Sequence, residues 1–375
     1  MSFLGAILPS WGYHLREHLS EVGNYFLAVN LGFLLTTVLS QALFAECCAK
    51  KKLVIANAMA CGGFLFLARF SPPAAGIWGF AGLFWLGASI GLLNSGVFQA
   101  VSPLYQRDRA STTNLAGVIF GLGCLVATLL VWGTYYVYTV PSILILFALA
   151  PGYFAGFCAK AKLPSELAVP YAPFAEIRRN FRNPGIVLFT MLLFFQFASE
   201  WSVAGWLALF LIRRLGISPE ASLLLLALYW GVLLVGRIAS QLVMRHVKHG
   251  LLLLGSMASA MFGTIVLAST NNEFGAVMGI LFVGTGFAFI IPLVAAKVGH
   301  RFPEYHAGLY NGLFSVALTG GLLAPWLLGY LAESLGIQAV MLAPLLGTCL
   351  VFVFSGLIQL EAKLAGFEES KKAEA

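Results

Sequence analysis

Eleven long apolar blocks run through this chain, separated by short polar breaks that carry most of its charge. The blocks cover Val22–Ala45, Leu53–Phe70, Ala74–Val101, Thr112–Tyr135, Tyr138–Cys158, Gly185–Ile212, Pro219–Val243, Gly250–Ala268, Phe274–Ala296, His306–Ala332 and Ile337–Leu360. A helix needs about 20 residues to cross the roughly 30 Å hydrocarbon core of a bilayer, and each block approaches or exceeds that length. Lipid offers the backbone no hydrogen bonds, so each block is expected to cross as an α-helix. An apolar stretch from Met1 to Tyr13 would rise only about 20 Å as a helix. Either the chain begins inside this first span, or a short tilted helix draws Met1 into the bilayer. No basic segment precedes the stretch and no small-residue cleavage pattern follows it, so a signal peptide is not expected.

Composition agrees with the pattern. Hydrophobic residues make up 60% of the 375 and charged residues only 10%, with a mean hydropathy of +0.89. A soluble domain carries about 25% charge. The expectation is an all-α integral membrane protein.

Orientation follows from the basic residues between the blocks. One alternating set of breaks holds 17 of the 22 lysines and arginines, including Lys50–Lys52, Arg178, Arg179, Arg182 and Lys371. The opposite set holds Arg16, Arg69, Arg213 and Arg214. Positive-inside bias assigns the first set to the cytoplasm, and with it both termini, when the short first span is counted. The protein is expected to sit in the cell membrane as a multi-pass protein. The net charge of +7 is then topogenic, facing anionic lipid heads, and calls for no nucleic-acid partner.

Between Ala159 and Pro184 the chain turns polar, with four prolines and a basic cluster at Arg178, Arg179 and Arg182; a short amphipathic stretch near Phe174–Phe181 is expected on the membrane surface. This divides the chain into residues 1–158, a linker 159–184, a second half 185–360 and a tail 361–375. The halves echo each other. Gly32 to Gln41 matches Gly231 to Gln241 with one inserted residue, and Asn114 with Gly123 repeats as Asn311 with Gly320. Two matched six-helix bundles are one way secondary transporters are built, with the solute bound at midplane.

Several stretches extend the comparison: Leu8, Pro9 and Trp11; Asn114-Leu with Phe120-Gly-x-Gly123; Glu200-Trp-Ser-Val-Ala-Gly-Trp-Leu207; Gly236-Arg237; and Gly320-Gly321 with Pro325. On these the whole chain resembles the major facilitator superfamily, and within it the fucose permease and related sugar transporter branch. The resemblance implies two six-helix bundles and transport of a solute across the membrane. That branch is associated with acidic residues in the first and fourth spans, and this chain has none in either, which speaks against proton coupling of that particular kind.

Glu200 is the one acidic residue deep inside a block, and an ionisable group at membrane depth marks a functional site by default. Gln196, Ser199 and Glu200 are spaced i, i+3 and i+4 along one helix face, a stripe suited to taking up a proton or accepting hydrogen bonds from solute hydroxyls. Asn94 and Gln99 in the fourth block and Tyr310, Asn311 and Ser315 in the eleventh add neutral polar groups. Each of these, taken singly, is also a routine interhelical hydrogen-bonding residue. Trp206 and Trp230 offer aromatic faces for a sugar ring. Arg237, six residues before its helix enters a basic turn, is expected to reach the interface or a helix C-terminus across the bundle seam, acting with Gln241 as a latch of the inward gate.

Two transport readings follow: a secondary active or facilitative carrier of a small polar solute, a sugar among the candidates, coupled to protons through Glu200; or a proton-driven exporter of amphipathic compounds. Enzyme chemistry is not expected. Gly87-Ala-Ser89-Ile-Gly91 matches a nucleophile motif, yet lies within a continuous apolar block, and all six histidines fall at or beyond block ends. The i, i+4 and i, i+3 histidine pairs lack a carboxylate or thiol cage, so no metal is expected, and no phosphate-loop sequence or cofactor motif occurs. The six cysteines lie in blocks or on the cytoplasmic side and predict no disulfides. A monomer embedded in lipid, with a small solute and possible H+ as partners, completes the expectation.

Overall fold

A computed structural model describes residues 2–11, 18–43, 47–70, 76–107, 109–161, 179, 181–244, 246–302 and 307–373, with side chains left out at 41–43, 102–103, 105–107, 109–110, 113, 307–312 and 365–373. Among the described residues there are twelve helices and no strand. They are α1 Ser2–Trp11, α2 Leu19–Leu43, α3 Ala49–Arg69, α4 Gly76–Arg107, α5 Arg109–Thr134, α6 Val140–Lys160, α7 Pro184–Leu215, α8 Pro219–Val243, α9 His249–Ser269, α10 Glu273–Arg301, α11 Ala307–Leu335 and α12 Ala339–Ala373. Eleven are long and apolar enough to cross a membrane, and α1, at ten residues, is the short one.

The apolar blocks locate every helix, but several helices outrun their blocks. α4 continues to Arg107 and α12 to Ala373, because backbone hydrogen bonding propagates past the hydrocarbon edge once a helix is nucleated. Local chemistry sets the ends of α7 and α8. Asn183 accepts from the Gly185 amide at 2.9 Å with Pro184 at the first helical position, and Gly216 closes α7 at φ 66°, a left-handed conformation that glycine adopts freely. Ser218 accepts from the Ala221 amide at 3.2 Å ahead of Pro219. The amphipathic stretch expected near Phe174–Phe181 lies almost wholly outside the described residues.

Helices α1–α6 pack on one another, as do α7–α12. The two groups meet along α2 against α11 and α5 against α8, with α1 laid on α7. Shifting each label by six turns the first seam contact into the second. Large apolar side chains are turned outward, Tyr153 at 68% and Leu149 at 62% exposure on α6 among them. In water such a surface would aggregate; in a bilayer it is the face the lipid wets.

At the end where α2 begins and α11 finishes, the seam is closed by specific contacts. Glu333 accepts from the Ser20 amide at 2.6 Å and meets His18 at 3.1 Å, and Tyr330 donates to Asn24 at 2.8 Å. One turn deeper Gly23 and Gly329 lie back to back, so close that a Cβ on Gly329 would fall 2.6 Å from the Gly23 Cα. Asn30 of α2 donates to the Leu322 carbonyl, one turn before Pro325 inside α11.

Candidate functional site

Glu200 lies midway along α7 and is fully buried, at 0% exposure. One carboxylate oxygen receives Arg237 Nη2 of α8 at 2.7 Å, and Arg237 is itself only 5% exposed. Two charges taken out of water are tolerated only as a well-formed pair with further hydrogen bonds. Arg237 provides one: its Nη1 donates to the Gly117 carbonyl of α5 at 3.1 Å. The guanidinium therefore bridges a carboxylate on one side of the seam and a backbone carbonyl on the other. Tyr229, also fully buried, donates to the Glu200 carbonyl at 3.3 Å and fixes α7 against α8.

The cluster is not fully satisfied. Glu200 Oε2 and the Gln196 amide, completely buried one turn before Glu200, meet no partner at full hydrogen-bond geometry, the amide standing near enough to the Glu200 carboxylate to interact with it. Trp230, at 1% exposure, leaves its indole N–H unpartnered as well, its ring standing edge-on to Phe120 of α5 at 6.2 Å. Each such buried group costs about 1–3 kcal/mol when left unpaired, so this cluster is the costliest polar arrangement within the seam.

The structure separates the other sequence-predicted residues. Ser199 leaves the Glu200 face for α12, donating to the Phe195 carbonyl at 2.9 Å and to the Pro344 carbonyl at 3.3 Å. Trp206 is committed to the first seam, donating to the Pro325 carbonyl at 3.0 Å and facing Phe26 of α2 at 5.7 Å. Gln99 donates to the Cys47 carbonyl at 3.4 Å, at the turn between α2 and α3. Asn94 and Ser315 are half-buried on α4 and α11. The side chains of Tyr310 and Asn311 lie outside the described residues, and Gln241 is exposed near the end of α8, outside the buried pair. Arg237 reaches neither an interface nor a helix terminus; its guanidinium turns inward to Glu200.

Asn114, noticed in the sequence as an internal echo and as part of the family resemblance but not as a site residue, joins the site from α5. Buried at 4% exposure, it donates to the Arg237 carbonyl at 3.1 Å and accepts from Ser240 Oγ at 3.4 Å. Among the described residues no group of three or more histidines, cysteines or carboxylates is placed to hold a metal.

Twelve described helices in two groups, with a buried ion pair sharing its cation across their seam, define a multi-pass membrane protein of the carrier type. The Major Facilitator Superfamily profile matches residues 1–323, and the chain belongs to that superfamily: it is a membrane transporter and not an enzyme. Among curated proteins it is 22% identical over 316 residues to an uncharacterized MFS-type transporter of Yersinia pestis, covering 84% of this chain and 80% of that one. It is 26% identical over 176 residues to a glucose/galactose transporter of Brucella abortus, covering 46% and 42%. Among solved structures, a point mutant of the nucleoside transporter NupG superposes with a TM-score of 0.73 at 12% identity, over 96% of both chains. A mutant of the E. coli fucose:proton symporter FucP gives 0.64 at 14% identity, over 95% and 96%. These structures share the fold.

Proposed function

We propose that this transporter carries a small, neutral, hydroxyl-rich solute by alternating access between residues 1–158 and 185–360, joined by the linker 159–184 and followed by the tail 361–375. The basic breaks face the cytoplasm, which makes the start of α5 and the end of α8 the inner side and the start of α2 the outer side. The observation that carries this reading is the Glu200–Arg237 pair beside the buried Gln196 amide. A carboxylate and a neighbouring buried amide can together accept from and donate to vicinal hydroxyls. The solute itself supplies polar partners to these buried groups.

The same pair couples occupancy to the seam. A proton placed on Glu200 removes its attraction for Arg237, and the guanidinium is then free to leave Gly117 on the opposite half. Loss of that bridge loosens α5 from α8 on the inner side while the Glu333, His18, Ser20 and Tyr330 contacts hold the outer side shut. Asn94, Tyr310, Asn311 and Ser315 are further solute-contact candidates. Trp230 presents an aromatic edge with a free donor, suited to a ring with one apolar face. The substrates for which the similar proteins are named, glucose and galactose, fucose and nucleosides, are neutral and rich in hydroxyls, which supports the same chemistry here.

The test is uptake into proteoliposomes of purified protein, with a radiolabelled panel of monosaccharides and nucleosides. One or a few related neutral solutes should saturate and compete with one another. Transport of lipophilic cations alone would favour export of amphipathic compounds and remove the polar-solute reading.

A further inference from the structure

We infer that Asn114 is a positioning residue: it sets the depth and rotation of α8 against α5, and so decides whether Arg237 can span from Glu200 to Gly117. This inference rests on the alternating-access reading above. The geometry is specific. The Asn114 amide uses both of its ends on α8, its Nδ2 donating to the Arg237 carbonyl at 3.1 Å and its Oδ1 accepting from Ser240 Oγ at 3.4 Å. Ser240 Oγ also donates to the Arg237 carbonyl at 2.7 Å, sharing its single proton between that carbonyl and Asn114 Oδ1, so the three groups form one triangle at the seam. One turn along α5, Gly117 approaches the Arg237 side chain, and the next turn brings Gly121 against Leu234, with added Cβ atoms falling 3.5 and 3.6 Å from their nearest neighbours. A stripe of Asn114, Gly117 and Gly121 therefore presents a smooth track to α8, and Asn114 is the side chain on it that fixes position along the track.

Asn114 is suited to this in a way its neighbours are not. Arg237 O already belongs to the α8 backbone ladder, so Asn114 reads the helix itself and not a mobile side chain. Aspartate would lose the donor and set a carboxylate against that carbonyl. Alanine would lose both interactions but leave the close approach at Gly117 and Gly121 intact. Interhelical hydrogen bonds in membranes average about 0.6 kcal/mol, and two of them correspond to a change of about eightfold in the ratio of closed to open seam. The expected effect is a population shift, with the fold retained.

The experiment is pulsed electron–electron distance measurement on the full chain in lipid nanodiscs, with spin labels at Leu115 and Leu242. Both are exposed, at 52% and 62%, and the six free cysteines are replaced beforehand. Wild type should show a short and a long distance, and Asn114→Ala should raise the long-to-short ratio about eightfold. Ser240→Ala, which removes the one interhelical bond that Ser240 makes, should raise it about threefold. The double variant should match Asn114→Ala alone, because the lost bond is shared; ratios that multiply independently, or that do not move, overturn the inference. Asn114→Ala should also leave equilibrium solute affinity per open site unchanged while altering net flux, a split that general destabilisation would not produce. Glu200→Gln serves as the separating control. If it leaves the distances unaltered while Asn114→Ala shifts them, Asn114 stands and Glu200 is not the coupling group. The converse overturns the Asn114 role alone, and a single unchanged distance in every variant overturns both.

Discussion

Replacing Arg237 by methionine removes the cation from the buried pair while roughly keeping its packing volume. Glu200, at 0% exposure, would then be left as a lone carboxylate without its 2.7 Å partner, and the Gly117 carbonyl would lose its donor. Breaking a buried pair from one side costs about 3–5 kcal/mol. Thermal midpoints fall by roughly 2 °C or more per kcal/mol in domains of about 150–250 residues, so Arg237→Met should lower the midpoint of the purified protein by roughly 6–10 °C. Glu200→Gln should destabilise less, because a neutral amide can still accept from Arg237. The informative variant is the double one: with both charges gone, the site holds an amide and a thioether, and much of the lost stability should return. A double-mutant cycle read from thermal unfolding in detergent should give a coupling of at least about 1.5 kcal/mol between the two positions. Additive losses, with coupling below about 0.5 kcal/mol, would show that the two side chains do not share a desolvated pair.

Three further outcomes follow from other parts of the structure. Gly329→Leu places a side chain where the Gly23 backbone now sits, so cysteines at Asn24 and Tyr330 that cross-link in the parent protein should cross-link at least several-fold more slowly in that background. Trp206→Phe removes the donor to the Pro325 carbonyl but keeps the aromatic contact with Phe26; it should cost about 1 kcal/mol of stability with solute affinity unchanged in a binding titration. Ser199→Ala should leave solute competition constants within about twofold in the uptake assay, because Ser199 is spent on α12, where the hydrogen bonds of such hydroxyls are worth about 0.6 kcal/mol.

The helices were legible because lipid imposes one rule on all of them, so an apolar block is a helix. Their polar ends were not: α4 running to Arg107 and α12 to Ala373 depend on helix propagation outside the hydrocarbon, which leaves no apolar mark. Glu200 stood out as the lone acid at depth. Its partner was readable in principle. Glu200 lies 15 residues before Leu215, the end of α7, and Arg237 lies 18 residues after Pro219, the start of α8, so the antiparallel hairpin brings them to similar depth. Counting Arg237 from the basic turn instead sends it to the interface. Ser199 shares the i, i+3, i+4 stripe with Gln196 and Glu200, yet α12 packs closely enough to claim it, with Gly347 directly against its hydroxyl. No single-helix pattern contains that information. Asn114 showed itself as half of an internal repeat and as part of a family-like stretch, with no role attached; its use of both amide ends on α8 is a tertiary fact.

The central claim, that Glu200 couples a proton to the movement of a neutral polar solute, is tested most directly by accumulation in proteoliposomes under an imposed inward-acid or inward-alkaline gradient. For a solute identified in the uptake panel, the parent protein should concentrate label in the direction of proton flow, whereas Glu200→Gln should only equilibrate it while still supporting exchange. Equal accumulation by the two proteins would contradict the account.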